Sequence, residues 1–422
     1  MQKVAVPLAS ILSEQTKEYV SKALKGPLRT LVKELKVDRI TEIVDSIEKI
    51  DDIKFAENEI IILLLLTGGT ENLALKVSRR VKHAPIMILT SNMYNSFPAG
   101  LETLPALREE GHYTRLIYSE NWKEVSGIEV EHFIEISRAI LKLKNLKIGL
   151  IGGPSSWLIS SVPSKINEEI NLNLVSINFG ELYKRYTKFN SKQRRQLYQI
   201  RNDANTIREV SDDDLDSAYK IHLALNKLME DFKLNYVSVR CFDIIKDIKT
   251  TLCLSCFISN NSEKIVGCEG DIPSLVTMIA MSSLANAPTW MANPIRINIK
   301  ANTLTLAHCT VSKKLVTEYG LRSHFESDLG IGISGVLKKN TQVTLSRIGK
   351  DFGNAIILTG KVIRSDFEDE NACRTKAEIK LDQNILGFIN KSIGNHIIML
   401  LGNYKEQLLE LYDTLKIKVI YC

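Results

Sequence analysis

The sequence predicts an α/β protein with a β-rich C-terminal domain, and three observations support this class. Over residues 1–145, continuous apolar segments alternate with amphipathic ones, which is typical of a parallel sheet covered by helices on both faces. The same alternation begins again near residue 146. Beyond residue 285, short segments in which apolar and polar residues alternate predominate, and this period predicts antiparallel strands. The 422 residues also exceed what one hydrophobic core normally holds, so two or three domains are expected.

The first part contains four predicted strands and three predicted helices. The strands lie at residues 3–8, 60–66, 85–90 and 113–118, and the helices at 38–50, 71–81 and 130–143. The turn Thr67-Gly68-Gly69-Thr70-Glu71 follows a strand and precedes a helix, where open α/β sheets bind ligands. Its two glycines match neither a dinucleotide fingerprint nor a P-loop. A tight turn with a threonine cap explains them, and a contact to a ligand or to a neighbouring subunit is the alternative.

The second and third parts contain the remaining predicted elements. In the second part, strands lie at 147–151, 174–178 and 236–240, and helices at 191–206 and 212–232, with Ser211 as the N-cap of the helix at 212–232. The third part begins with a strand at 264–267 and a helix at 275–284. In the third part, strands lie at 303–308, 330–336, 342–347, 355–363, 374–381 and 417–421, and helices at 385–391 and 404–414. We therefore predict two N-terminal Rossmann-like α/β domains, 1–145 and 146–262, followed by a β-rich domain, 263–422, that is a barrel or sandwich with closing helices.

Composition and charge narrow the functional classes. The net charge of +6 is small for this length, and the basic cluster at residues 192–195 is explained better by a solvated helix face than by phosphate contact, so nucleic acid is not an expected partner. The longest apolar run, residues 60–66, is too short to cross a bilayer, and the N-terminus has no secretory segment. Seven cysteines without a regular framework favour free thiols, and Cys253 and Cys256 lie in an apolar context typical of buried thiols. We expect a cytoplasmic protein that does not contact membranes.

Two carboxylates one residue apart, Glu269 and Asp271, come directly after the predicted strand at 264–267. If they continue that strand, its period of two directs both side chains to one face of the sheet. Two acids on one face repel each other unless a cation or a shared proton lies between them, and divalent metals are often held in this way. From spacing alone, a solvated turn followed by a helix is the better explanation.

Four further polar positions could contribute to a site. Asp243 follows the predicted strand at 236–240, and His308 ends the one at 303–308. His324 and His396 lie in connecting segments. Each has an ordinary structural explanation as a helix cap or as a polar residue at a strand end. Taken together, carboxylates with imidazole and no cysteine suit Mn²⁺, Mg²⁺ or Co²⁺ better than structural zinc.

The chain resembles the L-fucose isomerase and L-arabinose isomerase superfamily, in its short prokaryotic fucose isomerase-like form. The second half carries the specific motifs: Arg240-Cys241-Phe242-Asp243, Cys268-Glu269-Gly270-Asp271-Ile272-Pro273, Ala307-His308-Cys309, Ser323-His324-Phe325-Glu326-Ser327, and Gly394-Asn395-His396 with the segment at 417–420. The N-terminal half is similar more loosely, through Thr67-Gly68-Gly69-Thr70-Glu71 and Ile151-Gly152-Gly153-Pro154-Ser155. The resemblance implies two α/β domains, a β-rich domain, one catalytic Mn²⁺ and a trimer or hexamer.

The resemblance also implies roles for individual residues. The family's aspartate and histidine ligands correspond to Asp271 and His396, and another family acid, a glutamate, corresponds to Asp243, which is one methylene shorter. Asp243 is thus expected both as a metal ligand and as a proton-transfer acid/base, and Asp271 as a catalytic ligand. Glu269 is either a second acid/base or a residue that orients the ligands. The expected sugar contacts form a separate group, which consists of Trp157, His308, His324 and Asn395.

These roles predict a metal-dependent aldose–ketose isomerase that acts on an L-fucose-like monosaccharide or a related pentose or hexose in carbohydrate metabolism. Mn²⁺ is the expected ion, with Co²⁺ or Mg²⁺ as alternatives. The proton would move between C1 and C2 of the open-chain sugar through an enediolate. Two alternatives stay open at this point: a sugar-binding protein without catalysis, and a metal-dependent lyase or aldolase on the same scaffold.

Overall fold

The computed structural model describes residues 2–163, 168–189 and 195–421. The chain divides into two compact units, residues 1–141 and 142–422. The predicted three-domain division stays a prediction. None of the helices in the described ranges has the length and apolar character that crossing a bilayer requires.

The first unit contains a parallel five-stranded sheet in the order β2-β1-β3-β4-β5. Its strands are β1 (Gln2–Leu8), β2 (Arg39–Ile40), β3 (Glu59–Leu65), β4 (Ile86–Ser91) and β5 (Thr114–Ser119). The helices between them are α1 (Glu14–Lys25), α2 (Pro27–Glu34), α3 (Glu48–Asp51), α4 (Glu71–Arg80) and α5 (Ser96–Glu109), and α6 (Gly127–Lys144) follows. Every residue of β3 is buried, as expected for a central strand of a parallel sheet.

The predicted helix at 38–50 is wrong. The chain there forms the short edge strand β2, which pairs with Val4 and Ala5 of β1, and then the single turn α3. Pairing with the sheet edge satisfies backbone groups that a helix would otherwise satisfy, so tertiary context overrides the local pattern. The predicted threonine cap also differs, because the Thr70 hydroxyl donates to the Thr67 carbonyl instead of capping α4.

The second unit begins with a parallel four-stranded sheet in the order β10-β9-β6-β7. Its strands are β6 (Leu146–Ile151), β7 (Leu172–Ile177), β9 (Tyr236–Val239) and β10 (Ile265–Cys268). The helices in this region are α7 (Phe179–Tyr186), α8 (Arg195–Asp203), α9 (Asp212–Asp231), α10 (Cys241–Ile248), α11 (Cys253–Ser259) and α12 (Ile272–Ala285). Ser211 caps α9 as predicted. Most of the basic cluster and the start of the predicted helix at 191–206 lie outside the described residues.

Six antiparallel strands then close into a barrel, because β15 pairs with both β18 and β16. They are β11 (Trp290–Asn298), β12 (Thr303–His308), β15 (Gln342–Ile348), β16 (Asn354–Arg364), β17 (Thr375–Leu381) and β18 (Ile397–Leu401). Alternate residues of these strands, such as Val343 with Leu345 and Ile356 with Leu358, belong to one core. The predicted barrel or sandwich is therefore a barrel.

The remaining elements lie around this barrel. A small sheet contains β8 (Thr206–Ile207), β13 (Val316–Arg322) and β14 (Gly332–Leu337), and β19 (Lys418–Ile420) adds to β16. The closing helices are α13 (Ile385–Asn390) and α14 (Lys405–Thr414). The mixed α/β class with a β-rich C-terminal part is thus confirmed, while the assignment of two Rossmann-like domains stays a prediction.

Candidate active site

The turn between β10 and α12 sets the positions of the two neighbouring carboxylates. β10 ends at Cys268, and Glu269 and Gly270 then both adopt left-handed backbone conformations, with φ of 61° and 72°. A Cβ on Gly270 would lie 2.3 Å from the Gly153 carbonyl oxygen, so this turn requires glycine. A glutamate in this region is strained by about 1–3 kcal/mol, which is common at functional sites. The period-two argument therefore does not apply, because the strand ends before Glu269.

Three buried side chains converge in front of this turn. The Glu269 Oε1 atom lies 3.4 Å from His396 Nε2 and 3.9 Å from His308 Nε2. His308 is the last residue of β12, and His396 directly precedes β18, so two barrel strands present the imidazoles. One donor atom from each of the three residues lies within 4.8 Å of the others. These atoms face each other at separations mostly too long for good hydrogen bonds, so the three residues could hold an ion between them.

Each imidazole is oriented through its other nitrogen. His396 Nδ1 lies 2.8 Å from Asp271 Oδ2, and because an ionised carboxylate only accepts, Nδ1 carries the proton. His308 Nδ1 lies 2.9 Å from the Thr310 hydroxyl. Both arrangements leave Nε2 directed toward Glu269. A carboxylate behind a metal-binding histidine is a common way to fix the ring and raise its basicity.

Asp271 is fully buried and its oxygens already have partners. Oδ1 accepts from the Ser274 backbone N–H at 3.0 Å, and Oδ2 accepts from the Ser274 hydroxyl at 2.9 Å as well as from His396. The guanidinium of Arg347, also buried, lies 3.1 Å from Oδ2 and donates to the Ser161 hydroxyl and the His396 carbonyl. The aspartate therefore links α12, β15 and the segment before β18.

The electrostatics keep both carboxylates ionised. Burial alone would raise the pKa of Glu269, but the facing imidazoles of His308 and His396 outweigh it and hold that pKa well below its usual range. Burial acts in the same direction on Asp271, and Arg347 and His396 likewise outweigh it and lower its pKa. Burial would lower the pKa of His396, yet the two carboxylates raise it. Both carboxylates are thus ionised in a buried site that also contains the Arg347 guanidinium and the imidazoles of His308 and His396.

Aromatic rings border this group. The Trp157 indole N–H donates to Glu269 Oε2 at 2.7 Å, while about half of the residue is exposed. Phe242 meets Trp157 edge-on, with ring centroids 5.1 Å apart, and meets His324 edge-on at 5.7 Å. Trp157 therefore offers an exposed ring face next to the buried carboxylate, which suits stacking on a ligand.

A small cavity of about 40 Å³ lies against these residues. Glu269, His308 and His324 line it, as do Asn293 of β11 and the exposed Glu326. Five cysteine side chains contribute much of the remaining wall: Cys241, Cys253, Cys268, Cys309 and Cys373. On this scale one water needs about 10–15 Å³, so the cavity has room for an ion and one or two small ligands.

The structure brings together most, but not all, of the predicted site residues. Glu269, Asp271, His308, His396 and Trp157 form the contacts described above. His324 lies on the cavity wall, and the Asn395 amide nitrogen lies 3.5 Å from His396 Nε2.

Asp243 is the exception among the predicted ligands. It lies in the first turn of α10, and its Oδ2 accepts from Arg240 Nε at 2.6 Å. Asp243 is not among the residues that line the cavity.

Sequence reasoning missed three residues of this region. Arg347 lies within a predicted strand and carried no sign of a buried ion pair. Glu326 belongs to the quoted segment Ser323-His324-Phe325-Glu326-Ser327, so the motif contained it without singling it out. Asn293 lies next to Pro294, where the register of β11 shifts. This irregularity interrupts the alternation of apolar and polar residues that would have indicated on which face of the strand Asn293 lies.

Comparisons with known proteins give distant relatives. No protein-family model matches the sequence. The chain is similar to a protein named sulfoquinovose isomerase from Clostridium sp. (strain MSTE9), with 20% identity over 305 residues, which cover 69% of this chain and 68% of the relative. It is also similar to proteins of the same name from Priestia aryabhattai and Priestia megaterium (strain ATCC 12872 / QMB1551). Each of these is 19% identical over 345 residues, which cover 77% of this chain and 75% of the relative.

Proposed function

We propose that this protein is a metal-dependent aldose–ketose isomerase that acts on a monosaccharide. The predicted enzyme class, an isomerase, is borne out by the three relatives, each of which is named as an isomerase. The observation that carries the metal dependence is the convergence of three buried side chains, Glu269, His308 and His396, whose potential ligand atoms lie within 4.8 Å of one another. Assembly into a trimer or hexamer and a cytoplasmic location stay predictions.

The donor set fits a divalent ion of the hard-to-borderline class. One carboxylate with two imidazoles can bind several divalent ions, Zn²⁺ and Fe²⁺ among them, and the resemblance favours Mn²⁺, with Co²⁺ or Mg²⁺ as alternatives. Ligands about 2.1 Å from an octahedral ion lie about 3.0 Å apart as neighbours and about 4.2 Å apart when opposite. The separations of 3.4 and 3.9 Å between Glu269 and the imidazoles fall inside this range. We therefore assign Glu269, His308 and His396 as the residues that would hold the ion.

This assignment gives Asp271 and Asp243 roles other than those the resemblance implies. All the contacts of Asp271 point to a positioning role, because its oxygens are occupied by Ser274, His396 and Arg347. Asp243 forms a salt bridge with Arg240, so we place it outside the catalytic group. Glu269 becomes the carboxylate ligand rather than a residue that orients others.

A divalent ion bound there would polarise the sugar carbonyl and stabilise the negative charge of the enediolate. The protein's own groups must then move a proton between C1 and C2. Two carboxylates line the cavity, Glu269 and Glu326. Since Glu269 is engaged with both imidazoles and with Trp157, we propose that Glu326 carries this proton.

The size of the cavity limits how the sugar binds. Sites that enclose a small-molecule ligand usually measure about 300–1,000 Å³, far more than the space here. Only the reacting end of an open-chain sugar, C1 and C2 with their oxygens, would fit. The remaining carbons would then extend past the exposed ring of Trp157.

Product analysis tests this function and separates its alternatives. The metal-stripped protein is incubated with a panel of aldoses and ketoses, sulfoquinovose included, with and without Mn²⁺, and products are identified by NMR. We expect an Mn²⁺-dependent ketose or aldose of unchanged carbon number. Fragments of shorter chain length would indicate a lyase or aldolase. Sugar binding without conversion would contradict the isomerase.

Two matched variants test the assigned roles. Glu269→Gln should lose both metal and activity, whereas Glu326→Gln should lose activity and keep its metal. Asp243→Asn is the control, because Asp243 belongs to the motifs that carry the resemblance but lies outside the cavity. This variant should retain both its metal and its activity. Loss of metal in Asp243→Asn would overturn the ligand assignment.

A further inference from the structure

A second group of potential ligands lies on the wall of the same cavity, and its chemistry differs from that of the first. The sulfur atoms of Cys253 and Cys309 and one ring nitrogen of His324 lie within 4.8 Å of one another, and all three residues are buried. The partly buried Cys373 lines the same cavity as these three residues. Three thiols and one imidazole therefore gather at one place.

We propose that Cys253, Cys309, Cys373 and His324 form a binding site for a soft or borderline metal ion of the Zn²⁺ class, separate from the ion held by Glu269. A Cys₃His set is one of the usual ligand sets of structural zinc sites. Thiolate ligands favour Zn²⁺ or Cu⁺ and are poor ligands for Mn²⁺ or Mg²⁺. The proposal goes beyond the isomerase function and does not depend on it.

The geometry permits such an ion. Sulfur atoms that share a tetrahedral zinc at about 2.3 Å lie about 3.8 Å apart, which is within the spread of 4.8 Å. His324 Nδ1 lies 3.1 Å from the Ser327 hydroxyl, so Nε2 is left for a metal and the ring is held by a neighbour.

The four residues come from separate parts of the fold. Cys253 begins α11, and Cys309 follows β12. His324 follows β13, and Cys373 precedes β17. An ion bound to all four would connect the barrel to the small sheet and to α11, one of the helices near the parallel four-stranded sheet. Because it would close long loops in the chain, its binding should stabilise the folded protein.

Three other buried cysteines in this region are not part of the proposed site. Cys241 and Cys268 lie with their sulfur atoms 2.8 Å apart and form a pair of their own. Cys256 lies on the same helix as Cys253 and is equally buried, but its sulfur faces the Val266 carbonyl and is not part of the cavity wall. Cys256 therefore offers a matched control for a substitution at Cys253.

Cobalt substitution tests the proposal without relying on activity. The metal-stripped, reduced full-length protein is titrated with Co²⁺, and the near-ultraviolet thiolate-to-cobalt charge-transfer band is recorded. The expected result is a band whose intensity at saturation corresponds to one thiolate-bound Co²⁺ per chain, in addition to any Co²⁺ at the carboxylate–imidazole group, and which disappears when Zn²⁺ is added. Glu269→Gln should keep the band, because Co²⁺ at the carboxylate–imidazole group has no thiolate ligand.

Variants identify the ligands. Cys253→Ser and Cys373→Ser should each abolish or strongly weaken the band, whereas Cys256→Ser should keep it. A variant-free measurement covers the case in which a substitution prevents folding: Zn²⁺ should slow the reaction of wild-type thiols with a disulfide reagent and raise the melting temperature. Absence of the band in the wild-type protein would overturn the proposal, as would a band that survives in both ligand variants.

Discussion

Replacement of Asp271 by asparagine separates the positioning role proposed here from the ligand role that the resemblance implies. The substitution keeps the size of the side chain and removes its charge. Its partners are the His396 Nδ1–H at 2.8 Å, two groups of Ser274 at 3.0 and 2.9 Å, and the buried Arg347 guanidinium at 3.1 Å. Two consequences follow, one for metal affinity and one for stability.

The effect on metal affinity should be moderate. Loss of a carboxylate behind a metal-binding histidine typically weakens metal binding by about 10–100-fold, or about 1.4–2.8 kcal/mol. Mn²⁺ affinity is measured by competition with a fluorescent chelator, with Glu269→Gln in parallel. We expect Asp271→Asn to bind Mn²⁺ more weakly yet measurably, and Glu269→Gln to lose binding. Equal loss in the two variants would refute the reasoning and make Asp271 a direct ligand.

The effect on stability should be large. Arg347 would keep its buried charge without a counter-ion, and breaking such a pair costs about 3–5 kcal/mol. The double variant Asp271→Asn/Arg347→Met removes the uncompensated charge, so denaturant unfolding should show recovery of part of this loss. Metal affinity should stay weakened in the double variant. A double variant less stable than Asp271→Asn would contradict this account of the ion pair.

Three further predictions concern pH, fluorescence and the turn. Burial would lower the pKa of His396, but the carboxylates of Asp271 and Glu269 outweigh it and raise that pKa above the ordinary 6.5. Protons therefore compete with the metal for this ring as the pH falls, and Mn²⁺ affinity should decrease with decreasing pH; a pH-independent affinity in titration calorimetry would contradict this. Of the three tryptophans, Trp122 and Trp290 are buried and Trp157 is half-exposed. A change in tryptophan fluorescence on sugar binding should therefore be absent in Trp157→Phe. A fluorescence change that persists in this variant would place the sugar elsewhere. Gly270→Ala should lower the free energy of unfolding by at least about 1 kcal/mol, because φ is 72° and the new Cβ meets the Gly153 carbonyl; unchanged denaturation would argue against this turn.

The sequence predicted those parts of the fold that local patterns specify. The apolar segment at β3 and four of the six barrel strands, β12, β15, β16 and β17, were located to within about two residues, because burial on both faces or on one face imposes a clear period. The barrel strands β11 and β18 were not predicted. The helix α5 contains Pro105, and it was missed because a proline argues against a helix interior. The edge strand β2 was missed because its pairing partner lies elsewhere in the chain.

The candidate site was predicted only in part, for a physical reason. The motifs identified Glu269, His308 and His396, but their mutual orientation depends on the left-handed turn at Glu269 and on the hydrogen bonds at each Nδ1. Spacing along the chain carries no information on either. The cluster of Cys253, Cys309 and Cys373 is harder still to predict from the sequence, because successive members lie more than fifty residues apart along the chain.

The proposed function depends on Glu269, His308 and His396 holding the ion required for sugar isomerisation. Its most direct test is the Mn²⁺-dependent incorporation of solvent deuterium into a sugar at C1 or C2, followed by NMR in deuterated water with the metal-stripped protein. Exchange is expected only when Mn²⁺ is restored. It should be lost in Glu269→Gln and His396→Gln and retained in Asp243→Asn. Undiminished exchange in Glu269→Gln, or loss in Asp243→Asn alone, would contradict it.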